Sequence, residues 1–162
     1  MCIRDRRYAD AAIIVTNPEV SSVRDSDRII GLLDSKTLKA ECGERVDKHL
    51  LVTRFHASRA ARGEMLSIDD VLEILSIPLL GIIPESQEVL RASNVGSPVT
   101  LNNPLSAPAR AYFEAARRLK GENIPVQVPG EKMCIRDSMI RRGARSIAAL
   151  RITMFTAALE AR

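Results

Sequence analysis

AAIIVT, Ala11–Thr16, is followed at once by Asn17-Pro18, and the reading of this stretch decides the fold. The run is short, apolar and partly β-branched, with no polar residue alternating through it. Such a run predicts a strand buried on both faces, the kind found in parallel sheets, stopped by a proline that cannot donate to a ladder. Two more runs repeat the pattern, LLVTRF at 50–55 and LLGIIP at 79–84. Between them lie helical patterns. Residues 20–33 place Val23, Ile30 and Leu33 on one stripe, widened by Ile29 and Leu32, with Ser21 or Ser22 as cap and Asp25 and Asp27 suited to the positive helix end. Residues 34–48 read as a polar surface loop containing Gly43. Residues 65–75 begin with the capping-box pattern Ser67-Ile68-Asp69-Asp70 and set Val71, Leu72 and Leu75 on one face. A short helix at 87–93 ends near Asn94 and Gly96, and Gly96-Ser97-Pro98-Val99 reads as a turn into an extended piece. The last helix, 107–119, carries Ala111, Ala115 and Leu119 and stops at Gly121. Strands alternating with helices mean βαβ units and an α/β fold.

Composition narrows the class. The chain has 162 residues, the size of one domain of about 150. Hydrophobic residues at 46% and charged residues at 27% match globular averages, so disorder is not the expectation. No apolar run approaches the ~18 residues of a spanning helix, and MCIRDRRYAD at 1–10 has no apolar centre of a secretory leader. The three cysteines include no Cys-x-x-Cys pair, which excludes a disulfide scaffold and a recognisable zinc site. Trp is absent and aromatics are 3%, so there is no stacking platform for single strands of nucleic acid. The net charge of +4 sits in residues 133–162, where six arginines oppose two acidic residues. Residues 1–132 carry 18 charges of each sign, and that neutral body argues for no nucleic-acid partner.

One internal repeat changes the reading of both ends: MCIRDR at 1–6 and MCIRDS at 133–138. Two hexamers so far apart fit no structural period. They look like translated adapter sequence; a duplicated functional hexapeptide is the other reading. On the first, residues 1–7 are a non-native leader, 8–132 the body and 133–162 a non-native tail, and both ends are set aside in reading the fold. Within the tail, Ile140, Ile147, Leu150, Met154 and Ala158 can align on one helical face with Arg141, Arg142 and Arg145 elsewhere, as a basic amphipathic membrane helix would.

In open α/β sheets, ligands bind outside the carboxyl ends of the strands. Those ends read Thr16-Asn17-Pro18-Glu19, Thr53-Arg54-Phe55-His56 and Ile83-Pro84-Glu85-Ser86, each turning abruptly from apolar to polar. Loops are polar in any case, so the pattern alone leaves a site and an ordinary loop edge both open. Elsewhere the sequence offers little chemistry. His49 and His56 have no paired ligand spacing, so no metal site is expected. Cys42 lacks an evident partner. Asp69-Asp70 fits first-turn capping better than paired-carboxylate catalysis. No residue is put forward as catalytic.

TNPEVSSVRDSDRIIGLL at 16–33 closely resembles the septum-site-determining MinD branch of the MinD/ParA deviant Walker A P-loop ATPase family. The resemblance continues in HLLVTRF at 49–55, RGEMLSIDDVLEIL at 62–75 and LLGIIPESQEVLRASNVGSPV at 79–99. It runs roughly from Tyr8 to Glu131, loosening at 107–121. It implies a Rossmann-like three-layer parallel sheet of the P-loop NTPase type, and an ATPase using ATP and magnesium. It further implies a homodimer formed around ATP, partners MinC and MinE, and reversible binding to the inner membrane surface from the bacterial cytoplasm during septum placement. By the same resemblance Arg54 and the Pro84-Glu85 pair would border the adenine, with Asn17 at the same edge. A guanidinium plane and a proline ring can flank a flat base; a solvated charge at Arg54 and a strand terminator at Pro84 are the plain alternatives. Glu19, Ser21, Asp25 and Asp27 fall where the family's dimer interface and its docking surface for MinC and MinE lie, while capping remains their local role. The tail does not resemble the family's short lysine- and phenylalanine-bearing end.

The P-loop pattern G-x-x-x-x-G-K-[ST] occurs nowhere in the chain. In the family it precedes the matched segment, so the chain reads as a C-terminal part lacking the first strand, the phosphate loop and the magnesium-side aspartates. These residues alone are expected neither to bind ATP tightly nor to hydrolyse it. The missing strand is expected to leave an unpaired sheet edge, an exposed apolar face and poor solubility. Two further readings stand beside this one. A ParA-like partition ATPase is disfavoured by the neutral body. A non-catalytic module would dock a partner through residues 19–27.

Overall fold

The apolar runs become adjacent strands. A computed structural model of the chain describes residues 8–130 and the strand at 152–156. Strands β1 (Ala11–Thr16), β2 (Asp47–Phe55), β3 (Leu79–Pro84) and β4 (Ile152–Thr156) form one parallel sheet in the order β3-β2-β1-β4. The helices are α1 (Val20–Lys36), α2 (Leu38–Glu41), α3 (Ala57–Ala61), α4 (Ile68–Leu75), α5 (Gln87–Val95), α6 (Val99–Asn102) and α7 (Ala107–Leu119).

Burial on both faces explains the unbroken apolar runs. Ala12, Ile14, Leu50 and Val52 enter a core with Val23, Ile30 and Leu33 of α1 and Val71, Leu72 and Leu75 of α4. The alternate residues Ile13, Leu51, Leu80 and Ile83 turn to the opposite face and meet Ala115 of α7. Ile14, Leu33 and Leu50 are fully buried, each contributing about 1.5–3 kcal/mol by removal from water. Gly81 sets how close α7 can lie to β3: a Cβ there would stand 3.1 Å from the Ala115 Cβ.

Three local expectations are corrected. Residues 34–48 are not a plain loop. Helix α1 continues to Lys36, and the buried Thr37 hydroxyl donates back to the Leu33 carbonyl at 2.9 Å while accepting the Ala40 N–H at 3.2 Å. That one side chain ends α1 and caps α2. Strand β2 begins at Asp47 rather than Leu50, because pairing of Asp47 and Lys48 with Ala11 and Ala12 draws polar residues into the ladder. After Pro98 the chain is helical rather than extended, as the Leu101 and Asn102 amides both reach the Pro98 carbonyl. Helix α3 leaves no signature in the sequence, because ASRAA is too short to show a period.

The capping box at α4 forms as its residues predict. The Ser67 Oγ accepts the Asp70 N–H, and the Asp70 carboxylate accepts the Ser67 N–H, both at 3.1 Å. The Ser67 hydroxyl and backbone hold the Asp70 carboxyl below its ordinary 3.8. Ser67→Ala is expected to lower the free energy of unfolding by about 1 kcal/mol and to return Asp70 toward its ordinary titration. A group with a depressed folded pKa stabilises above its unfolded value and loses that contribution as pH falls through the folded one. The difference between wild type and variant should therefore shrink in acid, as read by urea titrations above and below pH 4.

The outer edge of β1 is covered. Residues 152–156 pair with it in parallel, Ala11 opposite Ile152 through Val15 opposite Thr156. The expected unpaired edge is thus absent at β1, and Met154 lies in a strand instead of on a helical face. ITMFT is β-branched and aromatic, and the free amides and carbonyls of a strand edge template such a segment. Ile140, Ile147, Leu150, Ala158, the tail arginines and both hexamers lie outside the described residues.

Candidate functional site

Parallel register delivers the three strand ends to one edge. Thr16 lies opposite Val52, and Phe55 lies opposite Pro84. Asn17 turns the chain out of β1, with the Glu19 amide bonded to its carbonyl at 2.8 Å, and the Pro18 carbonyl accepts the Leu66 amide at 3.0 Å. The Thr53 hydroxyl donates to Asn17 Oδ1 at 2.9 Å. The Glu85 amide donates to the Phe55 carbonyl at 2.9 Å, which ties the exit of β3 to the exit of β2.

Arg54 reaches this edge through a bulge. Leu50, Val52 and Phe55 share one core, although strict alternation would place residue 54 there. The register shift between Val52 and Phe55, with φ +58° at Arg54, absorbs the extra residue. A side chain at positive φ costs on the order of 1 kcal/mol and tends to mark functional positions. Arg54 is consequently exposed, its side chain 62% accessible, with Nη2 3.8 Å from Glu85 Oε1. Arg59 of α3 holds the other oxygen of Glu85 at 3.7 Å. Arg59 also reaches Glu64, which Arg62 grips at 2.6 Å; the hydrogen bond from Arg62 keeps the Glu64 carboxyl below the usual range. Exposed pairs of this kind add little stability, so their interest is positional.

Asn17, Arg54, Pro84 and Glu85 therefore share one edge, joined through Thr53 and the Phe55 carbonyl. The clefts beside it use only part of the set. One of about 280 Å³ runs from Pro84 to Pro129 and Gly130 past Ala107, and another of about 490 Å³ joins Pro84 and Glu85 to Asn103 and Ser106. Asn17 and Arg54 line neither. Thr53 and Arg59 are site neighbours that sequence reasoning passed over. Thr53 lies within an apolar strand run that gives its hydroxyl no distinguishing signal, and Arg59 lies in a helix too short to show a period.

The predicted interface residues lie on the accessible side of α1 and its entry. Glu19, Ser21 and Asp27 are exposed, and Asp25 is half-buried and 3.6 Å from Arg28. Their capping and dipole reading is corrected. The N-cap is Glu19, with no side-chain cap bond and no acidic residue in the first turn, and Ser22 is buried with its carbonyl accepting the Ser26 hydroxyl. The buried side of the helix needed Ser22, which removes it from the cap.

The residues present fit a flat base better than a triphosphate. Asn17 supplies an amide, Arg54 a guanidinium plane and Pro84 a ring, but no glycine-rich loop cradles phosphates. Among the described residues no cluster of three His, Cys, Asp or Glu side chains could hold a metal ion, and no helix is long and apolar enough to cross a membrane.

Comparison with known proteins supplies the family. No family model matches the chain. The septum site-determining protein MinD of Neisseria meningitidis is 59% identical over 116 residues, which is 72% of this chain and 42% of the relative. MinD of Escherichia coli K12 is 58% identical over 120 residues, 73% of this chain and 44% of the relative. The chain spans less than half the length of these curated relatives. The MinD cell division protein of Aquifex aeolicus superposes with a TM-score of 0.65 at 40% identity, over 74% of this chain and 47% of that one. The same organism's MinC:MinD complex gives a TM-score of 0.63. A MinD of Pyrococcus horikoshii complexed with Mg-ADP matches in fold, at TM-score 0.56 and 23% identity over 68% of this chain and 41% of that one. With the parallel sheet and its carboxyl edge in place, these matches show that the chain belongs to the MinD family of MinD/ParA P-loop ATPases.

Proposed function

We propose that residues 8–132 form the base-binding side of a MinD-like ATPase that positions the division septum through ATP-dependent dimerisation and reversible association with the inner membrane. The observation that carries this reading is the convergence of Asn17, Arg54 and Pro84-Glu85 on the carboxyl edge of three neighbouring parallel strands, in a chain 59% identical to a MinD over 116 residues. The nucleotide is ATP with magnesium, in keeping with the Mg-ADP complex of the Pyrococcus horikoshii protein. The base would lie at this edge, and the phosphates and magnesium would be held by a P-loop that these 162 residues do not contain. MinC is a partner, in keeping with the Aquifex aeolicus complex, and MinE is a second. Glu19, Ser21, Asp25 and Asp27 form the surface that meets them or a second copy. Residues 1–7 and 133–162 are not native to the protein, and the site of action is the cytoplasmic face of the bacterial inner membrane.

A chimera tests this. Residues 8–130, exchanged for the matching segment of the Escherichia coli relative, are expected to give a protein that hydrolyses ATP and restores septum placement in cells lacking their own copy. A folded chimera that hydrolyses ATP yet leaves septa misplaced would favour the ParA-like partition role, and one that captures MinC without turnover the docking-module role.

A further inference from the structure

Asn17 can present either its carbonyl oxygen or its two N–H donors, and the end that faces outward decides what it recognises. The Thr53 hydroxyl lies 2.9 Å from Asn17 Oδ1 and 3.3 Å from the Thr16 carbonyl, and a single proton serves the shorter contact. Oδ1 is thereby turned toward β2. Nδ2 finds no acceptor among the described residues.

We propose that Thr53 is a positioning residue that fixes Asn17 as a hydrogen-bond donor toward the ring nitrogens of a purine base. The inference rests on the base-edge reading above. Thr53 is suited to the task because a β-branched side chain is stiff at χ1 and because it is half-buried between β1 and β3. It also directly precedes the bulge. At this bulge Thr53 reaches Asn17 on the β1 side, and Arg54, at positive φ, reaches Glu85 at the exit of β3. One irregularity in β2 thus orients a donor on one side and a flat cation on the other. A base whose matching ring nitrogen carries a proton offers Asn17 a donor where it needs an acceptor, and is rejected.

Two measurements on the full 162-residue chain, labelled with nitrogen-15, test this. The first needs no ligand. In the proposed orientation the Asn17 Nδ2 protons point away from Thr53, so a strong nuclear Overhauser contact between them and the Thr53 Hβ or hydroxyl would overturn the assignment. The second is a titration with adenosine and its analogues, followed at the Asn17 side-chain amide and the backbone amides of Arg54 and Glu85. Thr53→Val is expected to weaken adenosine about five- to tenfold, the cost of one lost hydrogen bond, and Thr53→Ser to stay within about twofold of wild type. Purine riboside, which lacks the 6-amino group, should keep its affinity, whereas 1-deazaadenosine or 7-deazaadenosine should lose a similar factor. Equal binding by Thr53→Val, or a loss that follows the 6-amino group instead, overturns the role of Thr53 and leaves the base edge standing. Adenosine that moves none of these resonances at millimolar concentration overturns the base edge itself, and this proposal with it.

Discussion

Arg118→Ala is expected to lower the free energy of unfolding by about 3 kcal/mol or more, the range found when a buried, bonded charge is deleted. The guanidinium is 7% exposed and distributes its donors over three carbonyls and a carboxylate. Nη1 donates to Leu80 at 3.0 Å, Nε to Ile124 at 2.8 Å, and Nη2 to Pro125 at 2.9 Å and to Glu114 Oε2 at 3.1 Å. Leu80 belongs to β3, at the end of the sheet order, and Ile124-Pro125 follow α7. One side chain thus fastens the edge strand, the last helix and the segment behind it. Burial lowers the Arg118 pKa, yet the group stays charged at any working pH. Removing it leaves carbonyls without donors, and solvent reaching the half-exposed Glu114 recovers only a fraction. Lysine at the same position should restore little, because a single ammonium cannot span the three acceptors. Urea denaturation is the measurement. A loss below about 1 kcal/mol, no more than one ordinary hydrogen bond, would mean that water replaces the clamp.

The purified 162-residue chain is expected to release phosphate from ATP at least about a thousandfold more slowly than an intact relative. Phosphoryl transfer depends on backbone amides, a lysine and magnesium held around the phosphates, and deleting even one such donor costs ~100- to 1000-fold. None of that cradle is encoded here. A phosphate-release assay should therefore show only a background that is the same for wild type and Arg54→Ala. Turnover that changes with Arg54 would sink the prediction, since a contaminating enzyme does not respond to this side chain.

The sheet was legible because its strands are buried on both faces, which leaves unbroken apolar runs. β1 and β3 match those runs residue for residue, and the amphipathic stripe of α7 spans the expected 107–119. The errors lie where tertiary pairing overrides local pattern. Asp47 and Lys48 look like loop but are strand, because β1 pairs with them. Ser22 looks like a cap but is core. The edge of β1 reads as vacant from the body alone, while 152–156, set aside on account of the hexamer, pairs with it. At the candidate site the residue types were readable, and so was their common edge. The hydroxyl that orients Asn17 and the bulge that exposes Arg54 were not, because each depends on register between strands distant in sequence.

Arg54 carries one more implication. Its backbone sits where glycine or asparagine rests more comfortably, and the same bulge leaves its guanidinium in the open. Mutagenesis libraries sorted for thermal resistance alone should drift away from arginine at this position while leaving Phe55 intact. If the proposed base edge holds, lineages selected for nucleotide binding should retain it. The divergence between those two pools would show which pressure shaped this corner of the molecule.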